Sequence, residues 1–178
     1  GVEASGEHFQ FCKQHFRDNG LNPEEHCLLN AVVGAEDGVA RFPKLIDPSN
    51  HYGANAVFGE QKENQDLGFE RWEEIRSISI KTLLKDVDRV DILHCDIQGA
   101  ETSVLTAAMP TLDAKCRRMV IGTHSRLIDG EILHMFADSG WILEYEQPAK
   151  IHQRLDCALE TVIDGEQVWR NPRLAPYS

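Results

Sequence analysis

The sequence predicts an α/β fold built on a mostly parallel sheet. Nearly continuous apolar segments, typical of strands buried on both faces of a parallel sheet, alternate with segments of helical periodicity. This alternation predicts helices on both faces of one sheet. Val90–Ile97 is the clearest buried strand. The last strands, Ala158–Ile163 and Glu166–Trp169, are separated by Asp164-Gly165, which predicts a closing antiparallel hairpin.

Length and charge restrict the classes of protein to which the chain can belong. The 178 residues are enough for one domain with a substantial core, and we assign residues 1–178 to a single domain. The formal net charge of −11 argues against a nucleic-acid backbone or an anionic membrane surface as partner. No apolar run approaches the ~20 residues that a membrane-spanning helix needs.

The five cysteines are scattered and lack CxxC spacing, so neither a zinc site nor a disulfide framework is indicated. Cys27 and Cys95 lie in apolar runs and are expected to be reduced core residues. This use of cysteine favours a reducing cytoplasm.

The first elements follow from capping and periodicity. Residues 1–4 are typical of the end of a strand, and Ser5 is a favourable N-cap for a helix that ends near Asn19, with Gly20 in a left-handed conformation. An apolar strand, Cys27–Val33, comes next, and Val39–Phe42 is predicted to be a short return strand.

The stretch from Lys44 to Glu74 loses all periodicity and is rich in Asn, Gln, Gly and Glu. A stretch of that length is typical of a lid, a substrate-binding loop or disorder, and its aromatic residues Tyr52, Phe58 and Trp72 suggest that it covers something apolar. A surface insertion without function is the alternative.

The second half of the chain continues the alternation of strands and helices. Pro110 is expected to end the helix after the central strand, and Ser125 is expected to cap the helix that ends at Ser139-Gly140. The other predicted elements are a strand at Ile78–Ile80, a helix at Thr82–Val87 and strands at Arg118–Ser125 and Trp141–Tyr145.

Three ionisable residues fall at the carboxyl ends of predicted strands, where α/β sheets bind ligands: Glu3, Asp96 and His124. Glu3 suits ribose hydroxyls, although a surface carboxylate without function is equally compatible. Asp96 either serves the site or caps the next helix. His124 could act as a general base, or it could be a structural residue.

A divalent metal is a further possibility. His94 lies two residues before Asp96, so both side chains leave the strand on one face, and with His124 they could ligate a metal. The spacing matches no standard ligand pattern, and no metal site is assigned.

The segments GVEAS, DILHCDIQGAE, VIGTHS and DGEQVWRNP resemble those of the FkbM-type methyltransferases, over nearly the whole chain. The resemblance implies a Rossmann-like class I methyltransferase sheet and S-adenosylmethionine as cofactor. It also implies methylation of a hydroxyl on a sugar or natural-product scaffold, with a small-molecule or glycan acceptor. The family's first strand and glycine-rich loop would precede Glu3, so we expect the first strand to be missing from this chain.

The resemblance also assigns roles to particular residues. Glu3 matches the ribose-binding acid, Asn30 and Ala31 fall near the adenine, and Asp96 lies beside the sulfonium and the acceptor.

On the acceptor side the resemblance implies His94, Gln98 and Glu101. Gln98 stands where many members have Glu, and His94 where many have Lys.

The implied reaction is attack of an acceptor oxygen on the methyl carbon, with His124 or Asp96 removing the hydroxyl proton. A non-catalytic binding or assembly module on the same fold is the main alternative. A hydride-transfer oxidoreductase is disfavoured because the chain contains no GxGxxG.

Overall fold

The computed structural model describes residues 1–44, 47, 49, 53–59 and 71–176. The chain divides into two compact units, Gly1–Ser79 and Ile80–Ser178. The single domain expected over the whole chain stays a prediction.

The first unit begins with a parallel pair of short strands around one helix. Strand β1 is Val2–Glu3, helix α1 is Gly6–Asp18, a 3-10 helix follows at Pro23–Glu25, and strand β2 is Leu29–Asn30. Ser5 caps α1, because its Oγ accepts a hydrogen bond from His8 N at 3.2 Å. Gly20 has a φ of 72°, so both predicted ends of this helix are confirmed.

The predicted strand at Cys27–Val33 is divided in two. Strand β2 pairs with β1, whereas strand β3 (Val32–Gly34) belongs to the four-stranded sheet of the unit. Asn30 donates from its side-chain amide to the carbonyls of Glu3 and Ala4, both at 2.9 Å, which holds the chain where it changes partner. Cys27 lies before β2 and is exposed, so its assignment to the core is wrong.

The main sheet of the first unit has the order β3-β6-β4-β5. Its further strands are β4 (Gly38–Pro43), β5 (Val57–Phe58) and β6 (Trp72–Ser79). Strand β6 is parallel to β3 and antiparallel to β4, which confirms the predicted return strand. The buried apolar cluster on this sheet consists of Val32, Ala40, Phe42 and Ala54.

The loop predicted from Lys44 to Glu74 is wrong where the structure describes strands, at β5 and at the start of β6. Cross-strand pairing with β4 orders the polar start of β6 despite its lack of an apolar pattern. The predicted lid otherwise falls largely on positions 45, 46, 48, 50–52 and 60–70, which lie outside the described residues.

The second unit holds a four-stranded sheet and its covering helices. The helices are α2 (Ile80–Leu83), α3 (Glu101–Lys115) and α4 (Arg126–Asp138). The strands are β7 (Leu93–Cys95), β8 (Arg118–Thr123), β9 (Ile142–Gln147), β10 (Lys150–Gln153), β11 (Leu159–Ile163) and β12 (Gly165–Arg170). Its most deeply buried side chains include Leu105, Leu112, Met119, Ile121, Ile132, Phe136 and Trp169.

The expectation of a mostly parallel sheet is not confirmed. The strand order is β7-β8-β12-β9, in which β7 and β8 are parallel while β12 runs antiparallel to both of its neighbours. The four-stranded sheet of each unit is mixed. The structure supports an α/β fold.

Strand β7 is shorter and less buried than the sequence predicts. Only Leu93–Cys95 is strand, Val90 forms an isolated bridge with Cys116, and Ile92 is 64% exposed. Among the described residues β7 pairs with β8 alone, so only one of its long edges is covered by a partner strand. The apolar run at Val90–Ile97 was therefore a misleading signal for a strand buried on both faces.

Helix α3 continues through Pro110, although that residue was expected to end it. Proline in a helix interior removes a hydrogen bond and costs ~3 kcal/mol. Leu105 and Leu112, on either side of it, are both fully buried, and this packing offsets the cost. Helix α4 agrees with its prediction, since Ser125 accepts from Ile128 N at 3.2 Å and Gly140 has a φ of 75°.

The predicted closing hairpin is wrong, because β11 and β12 do not pair with each other. Strand β11 pairs with β10, and β12 lies between β8 and β9. The ladder between β9 and β12 continues as the ladder between β10 and β11, so residues 150–163 form a two-stranded ribbon beyond the four-stranded sheet, here called the arm. Gly165 is needed for close approach, because a Cβ there would lie 2.7 Å from Ala149 N.

Among the residues that the structure describes, no helix has both the length and the apolar character needed to cross a membrane.

Candidate active site

The candidate site of the second unit lies where two parallel strands end. Asp96 follows β7 and His124 follows β8, and the register pairs Cys95 with Ile121, so both residues leave the sheet at the same edge. Carboxyl ends of adjacent parallel strands share one rim, as the sequence predicted for these two residues.

The imidazole of His124 bridges two carboxylates. Its Nε2 lies 3.2 Å from Asp96 Oδ1, and its Nδ1 lies 2.9 Å from Glu101 Oε1. The Glu101 side chain is fully buried, that of His124 is 13% exposed, and that of Asp96 is 45% exposed. Asp96 is therefore the member of this triad that solvent or a ligand can reach.

The two carboxylates decide the charge of the histidine. Burial lowers the pKa of His124, but hydrogen bonding and charge from Asp96 and Glu101 outweigh it and raise the pKa to about 10. Hydrogen bonding from His124 in turn holds the pKa of Asp96 below its ordinary value, against the effect of burial, and His94 adds a smaller lowering. At neutral pH the site thus contains an imidazolium and an ionised, half-exposed carboxylate.

The turn between β7 and α3 has an unusual backbone conformation. Gln98 has a φ of 55° and Gly99 a φ of 99°, and a positive φ in a residue with a side chain is uncommon. Glu101 holds this turn, because its carboxylate accepts hydrogen bonds from Ile97 N at 3.0 Å and from Gly99 N at 3.0 Å. Gln98 Nε2 donates to Asp96 Oδ1 at 3.0 Å and fixes the orientation of that carboxylate.

Asp96 does not cap helix α3. The N-cap residue is Ala100, which makes no side-chain capping bond, and the contacts of the Asp96 carboxylate are with His124 and Gln98. The capping alternative considered from the sequence therefore lacks support.

Gly122 makes room for the Asp96 side chain. A Cβ added to Gly122, on β8, would lie 3.2 Å from Asp96 Cγ and 3.4 Å from its Oδ2. A glycine inside a strand often marks such a close approach.

The two residues before Asp96 in the sequence differ in exposure. His94 is exposed on β7, as expected for a side chain on the face of Asp96. Cys95 is buried between them, and burial, with smaller contributions from Glu101 and Asp96, raises the pKa of its thiol to about 12.

The side chains of the triad also offer atoms that could ligate a metal ion. One ligand atom each from Asp96, Glu101 and His124 lies within 4.8 Å of the others, so Glu101 rather than His94 completes the group. The two nitrogens of His124 face different carboxylates, and Glu101 already accepts hydrogen bonds from two backbone amides. This arrangement suits a triad held by ion pairs better than convergent metal ligands.

The predicted cofactor residues of the first unit form a separate group. Glu3 pairs with Asn30 at the ends of β1 and β2, and Ala31 N donates to Glu3 O at 3.1 Å. The Glu3 carboxylate is 38% exposed, and its Oε1 accepts a hydrogen bond from Ser5 N at 2.8 Å. The three residues are thus brought together, with the Glu3 side chain partly open to solvent.

Sequence reasoning missed three features of the site. It gave no role to Gly122, placed Glu101 only on the acceptor side, and did not foresee the conformation of Gln98. The glycine within an apolar strand was the available signal for Gly122. A glutamate in the first helical turn after Gln-Gly-Ala was a signal for contact with preceding backbone amides, as in a capping box.

A carboxylate and an imidazole at the ends of adjacent parallel strands are typical of α/β enzymes that act at the rim of a sheet. The family is shown by comparison: residues 2–157 match the methyltransferase FkbM domain, and the chain belongs to that family. The resemblance found in the sequence is thereby confirmed.

A relative supports the same family. A protein of Jannaschia sp. (strain CCS1) named "Putative methyltransferase" is 30% identical to this chain over 176 residues. The alignment covers 98% of this chain and 62% of that protein, so the chain spans less than two thirds of the relative's length. No solved structure matches the chain significantly.

Proposed function

We propose that the protein is an S-adenosylmethionine-dependent methyltransferase that methylates a hydroxyl group of a small-molecule or glycan acceptor. The observation that carries this proposal is Asp96, a half-exposed carboxylate oriented by His124 and Gln98 in a chain of the FkbM methyltransferase family.

The residues of the first unit fit the nucleoside of this cofactor. Glu3 has a partly exposed carboxylate at the end of a strand and just before a helix, where acidic residues of nucleotide-binding folds bind ribose hydroxyls. Glu3, Asn30 and Ala31 would hold the ribose and the adenine. S-adenosylmethionine, when bound, supplies a methyl group on a positively charged sulfonium.

Asp96 would accept the proton that the acceptor hydroxyl loses. An oxygen that acquires a third bond becomes strongly acidic, so a carboxylate with a lowered pKa is still a sufficient base. The same negative charge favours a cation beside it. Asp96 is thereby the general base in this proposal.

His124 is assigned a positioning role. With its pKa raised to about 10 it already carries its second proton at neutral pH, so it cannot take the proton of the acceptor. Its charge keeps Asp96 ionised and fixes the carboxylate through Nε2. Between the two candidates for the base, this favours Asp96.

Glu101 is likewise assigned to positioning, because its buried carboxylate holds the turn and faces His124. His94 and Gln98, which are less buried, are the residues that we propose to contact the acceptor.

The test combines titration with turnover. Isothermal titration measures binding of S-adenosylmethionine to the wild type and to Asp96→Asn, and release of S-adenosylhomocysteine is followed with a panel of hydroxylated sugars and phenols. Asp96→Asn should lower turnover by roughly 100-fold or more while the melting temperature is kept. Asp138→Asn, at an exposed site at the end of α4, is the matched control and should change neither.

A full-length wild type that binds no S-adenosylmethionine would refute the proposal and favour the non-catalytic binding module. Full turnover in Asp96→Asn would remove Asp96 from the reaction.

A further inference from the structure

The two strands of the arm are exposed at all but one position. Every residue of β10 is exposed, and so are the residues of β11 on both sides of Thr161. Within these two strands, all of whose residues the structure describes, Thr161 alone is half-buried. Burial therefore distinguishes Thr161 from the rest of the arm.

A β-bulge sets the side to which Thr161 points. Lys150 pairs with Ile163 and Ile151 pairs with Thr161, so Val162 is an extra residue in β11. Because Lys150 and Ile151 are successive residues of β10 and point to opposite sides, Thr161 and Ile163 point to opposite sides as well. Bulges are frequent next to active sites, where they change the direction of a side chain.

The hydroxyl of Thr161 reaches the backbone of His124, because its Oγ1 donates to the His124 carbonyl at 3.0 Å. His124 lies between two elements, after the last residue of β8, Thr123, and before Ser125, the N-cap of α4. Both neighbours are fixed by their side chains, since Thr123 Oγ1 donates to the Asp129 carboxylate and Ser125 caps the helix. The hydroxyl from the arm holds the residue between them.

The backbone position of His124 matters because its imidazole makes two contacts at once. Its Nε2 is 3.2 Å from Asp96 and its Nδ1 is 2.9 Å from Glu101, and the ring is 13% exposed. The ring is rigid, so a shift of the backbone that lengthens one contact also changes the other, and such contacts weaken steeply with distance and angle. Fixing the His124 carbonyl therefore helps to fix the Asp96 carboxylate.

We propose that Thr161 is a positioning residue for the proposed methyl transfer, because its hydroxyl holds the backbone of His124 where the imidazole orients Asp96. The inference rests on the proposed function and deepens it by giving the arm a part in the site. Thr161 acts through His124 and does not contact the acceptor. If the hydrogen bond served only to anchor the arm, its loss would lower stability and leave the imidazole of His124 unchanged.

The test reads the imidazole of His124 directly. Thr161→Val keeps the branched shape and removes the donor, and the nitrogen signals of labelled histidines are titrated in the full-length protein, with His124→Gln to assign the signal. In the wild type the pKa of His124 is about 10, and in Thr161→Val it should fall toward 6.5, because the imidazolium loses its alignment with the two carboxylates.

Turnover is measured with the most active acceptor from the panel of sugars and phenols. Thr161→Val should lower kcat by roughly ten- to a hundred-fold, as expected for a misplaced catalytic group, and leave the affinity for S-adenosylmethionine unchanged. Thr161→Ser keeps the hydroxyl and should restore both kcat and the titration of His124.

Two variants serve as matched controls. Val162→Thr is the reverse exchange at the exposed neighbouring position of the arm. Thr106→Val removes a hydroxyl that also donates to a backbone carbonyl, that of Thr102 at 2.7 Å, on the exposed side of α3. Both controls should titrate and turn over as the wild type does.

A wild-type titration of His124 in Thr161→Val would overturn the inference, whether or not the melting temperature falls. Equal changes in the controls, or a serine variant that behaves like the valine variant, would overturn it too. The histidine signals are read without cofactor or acceptor, which separates the two proposals. A full-length protein that binds S-adenosylmethionine but keeps its His124 titration in Thr161→Val refutes this inference alone.

Discussion

At the scale of single residues, the imidazole of His124 lies between two carboxylates, 3.2 Å from Asp96 and 2.9 Å from Glu101. Its pKa is raised from 6.5 to about 10, so the folded state binds the second proton more tightly than the unfolded chain does. Folding stability is thereby linked to pH.

The stabilisation from this proton should be fully present below pH 6.5 and lost as the pH rises through about 10. We expect the free energy of unfolding of the wild type to fall across this range, more steeply than that of His124→Gln. Urea unfolding at pH 6, 8 and 10 measures the difference.

His134→Gln, at an exposed histidine of α4, is the control and should follow the wild type. Parallel curves for wild type and His124→Gln would show that His124 does not hold its proton in the folded state.

The common position of Asp96 and His124 at one edge of the sheet was predictable because strand ends can be located from apolar runs and the rim of a sheet follows from topology. The charge of His124 was not, because it depends on Asp96 together with Glu101, whose carboxylate reaches back over the turn at Gln98 and Gly99. A sequence does not show which side chains a positive φ brings together.

At the scale of elements, only Asp164 separates β11 from β12, and Gly165 begins β12 in closely packed surroundings. A Cβ there would meet Thr123 Oγ1, lie 2.6 Å from Asp129 Oδ1 and lie 2.7 Å from Ala149 N. Because one of these neighbours is backbone, the strands must shift to admit it.

Gly165→Ala should therefore lower the free energy of unfolding by about 1–3 kcal/mol. Gly130→Ala is the opposite control: in helix α4 an added Cβ meets nothing within 4 Å, and alanine should stabilise the helix by about 0.5–1 kcal/mol. Urea unfolding of both variants tests the pair. Equal stability of Gly165→Ala and wild type would contradict the close approach.

Helices α1 and α4 were predicted well because their ends depend on local groups, Ser5 and Ser125 at the start and Gly20 and Gly140 after the end. The partners of β11 and β12 were not predicted correctly, because Asp164-Gly165 is also a typical signal for a tight turn between two paired strands. Only the atoms around Gly165 show that the glycine permits a close approach instead.

At the scale of the whole molecule, the formal net charge of −11 produces a negative field around the protein. S-adenosylmethionine carries one more positive charge than S-adenosylhomocysteine, so the field should favour the substrate form of the cofactor over its product. This preference must weaken with salt, because mobile ions screen it.

Raising the salt concentration from about 20 mM to 500 mM should thus weaken binding of S-adenosylmethionine more than binding of S-adenosylhomocysteine. Paired titrations at both concentrations measure the ratio of the two dissociation constants. A ratio that does not change with salt would show that short-range contacts alone distinguish the two forms.

The α/β class could be predicted from the alternation of patterns, but the strand order could not. Strand β12 lies between β8 and β9 because of pairing with residues distant in the chain, and the four-stranded sheet of the second unit is mixed for that reason. Periodicity indicates which faces are buried, and it is silent on which neighbour buries them.

The buried thiol of Cys95 has a consequence for the proposed reaction, whose cofactor is an alkylating reagent. A thiolate is a strong nucleophile that readily attacks alkylating agents. Cys95 directly precedes the proposed base in the sequence. With its pKa raised to about 12, the thiol keeps its proton and stays unreactive at neutral pH. Burial, with smaller contributions from the charges of Glu101 and Asp96, thus leaves the neighbouring sulfur neutral, and in the proposed reaction it would protect this thiol from methylation.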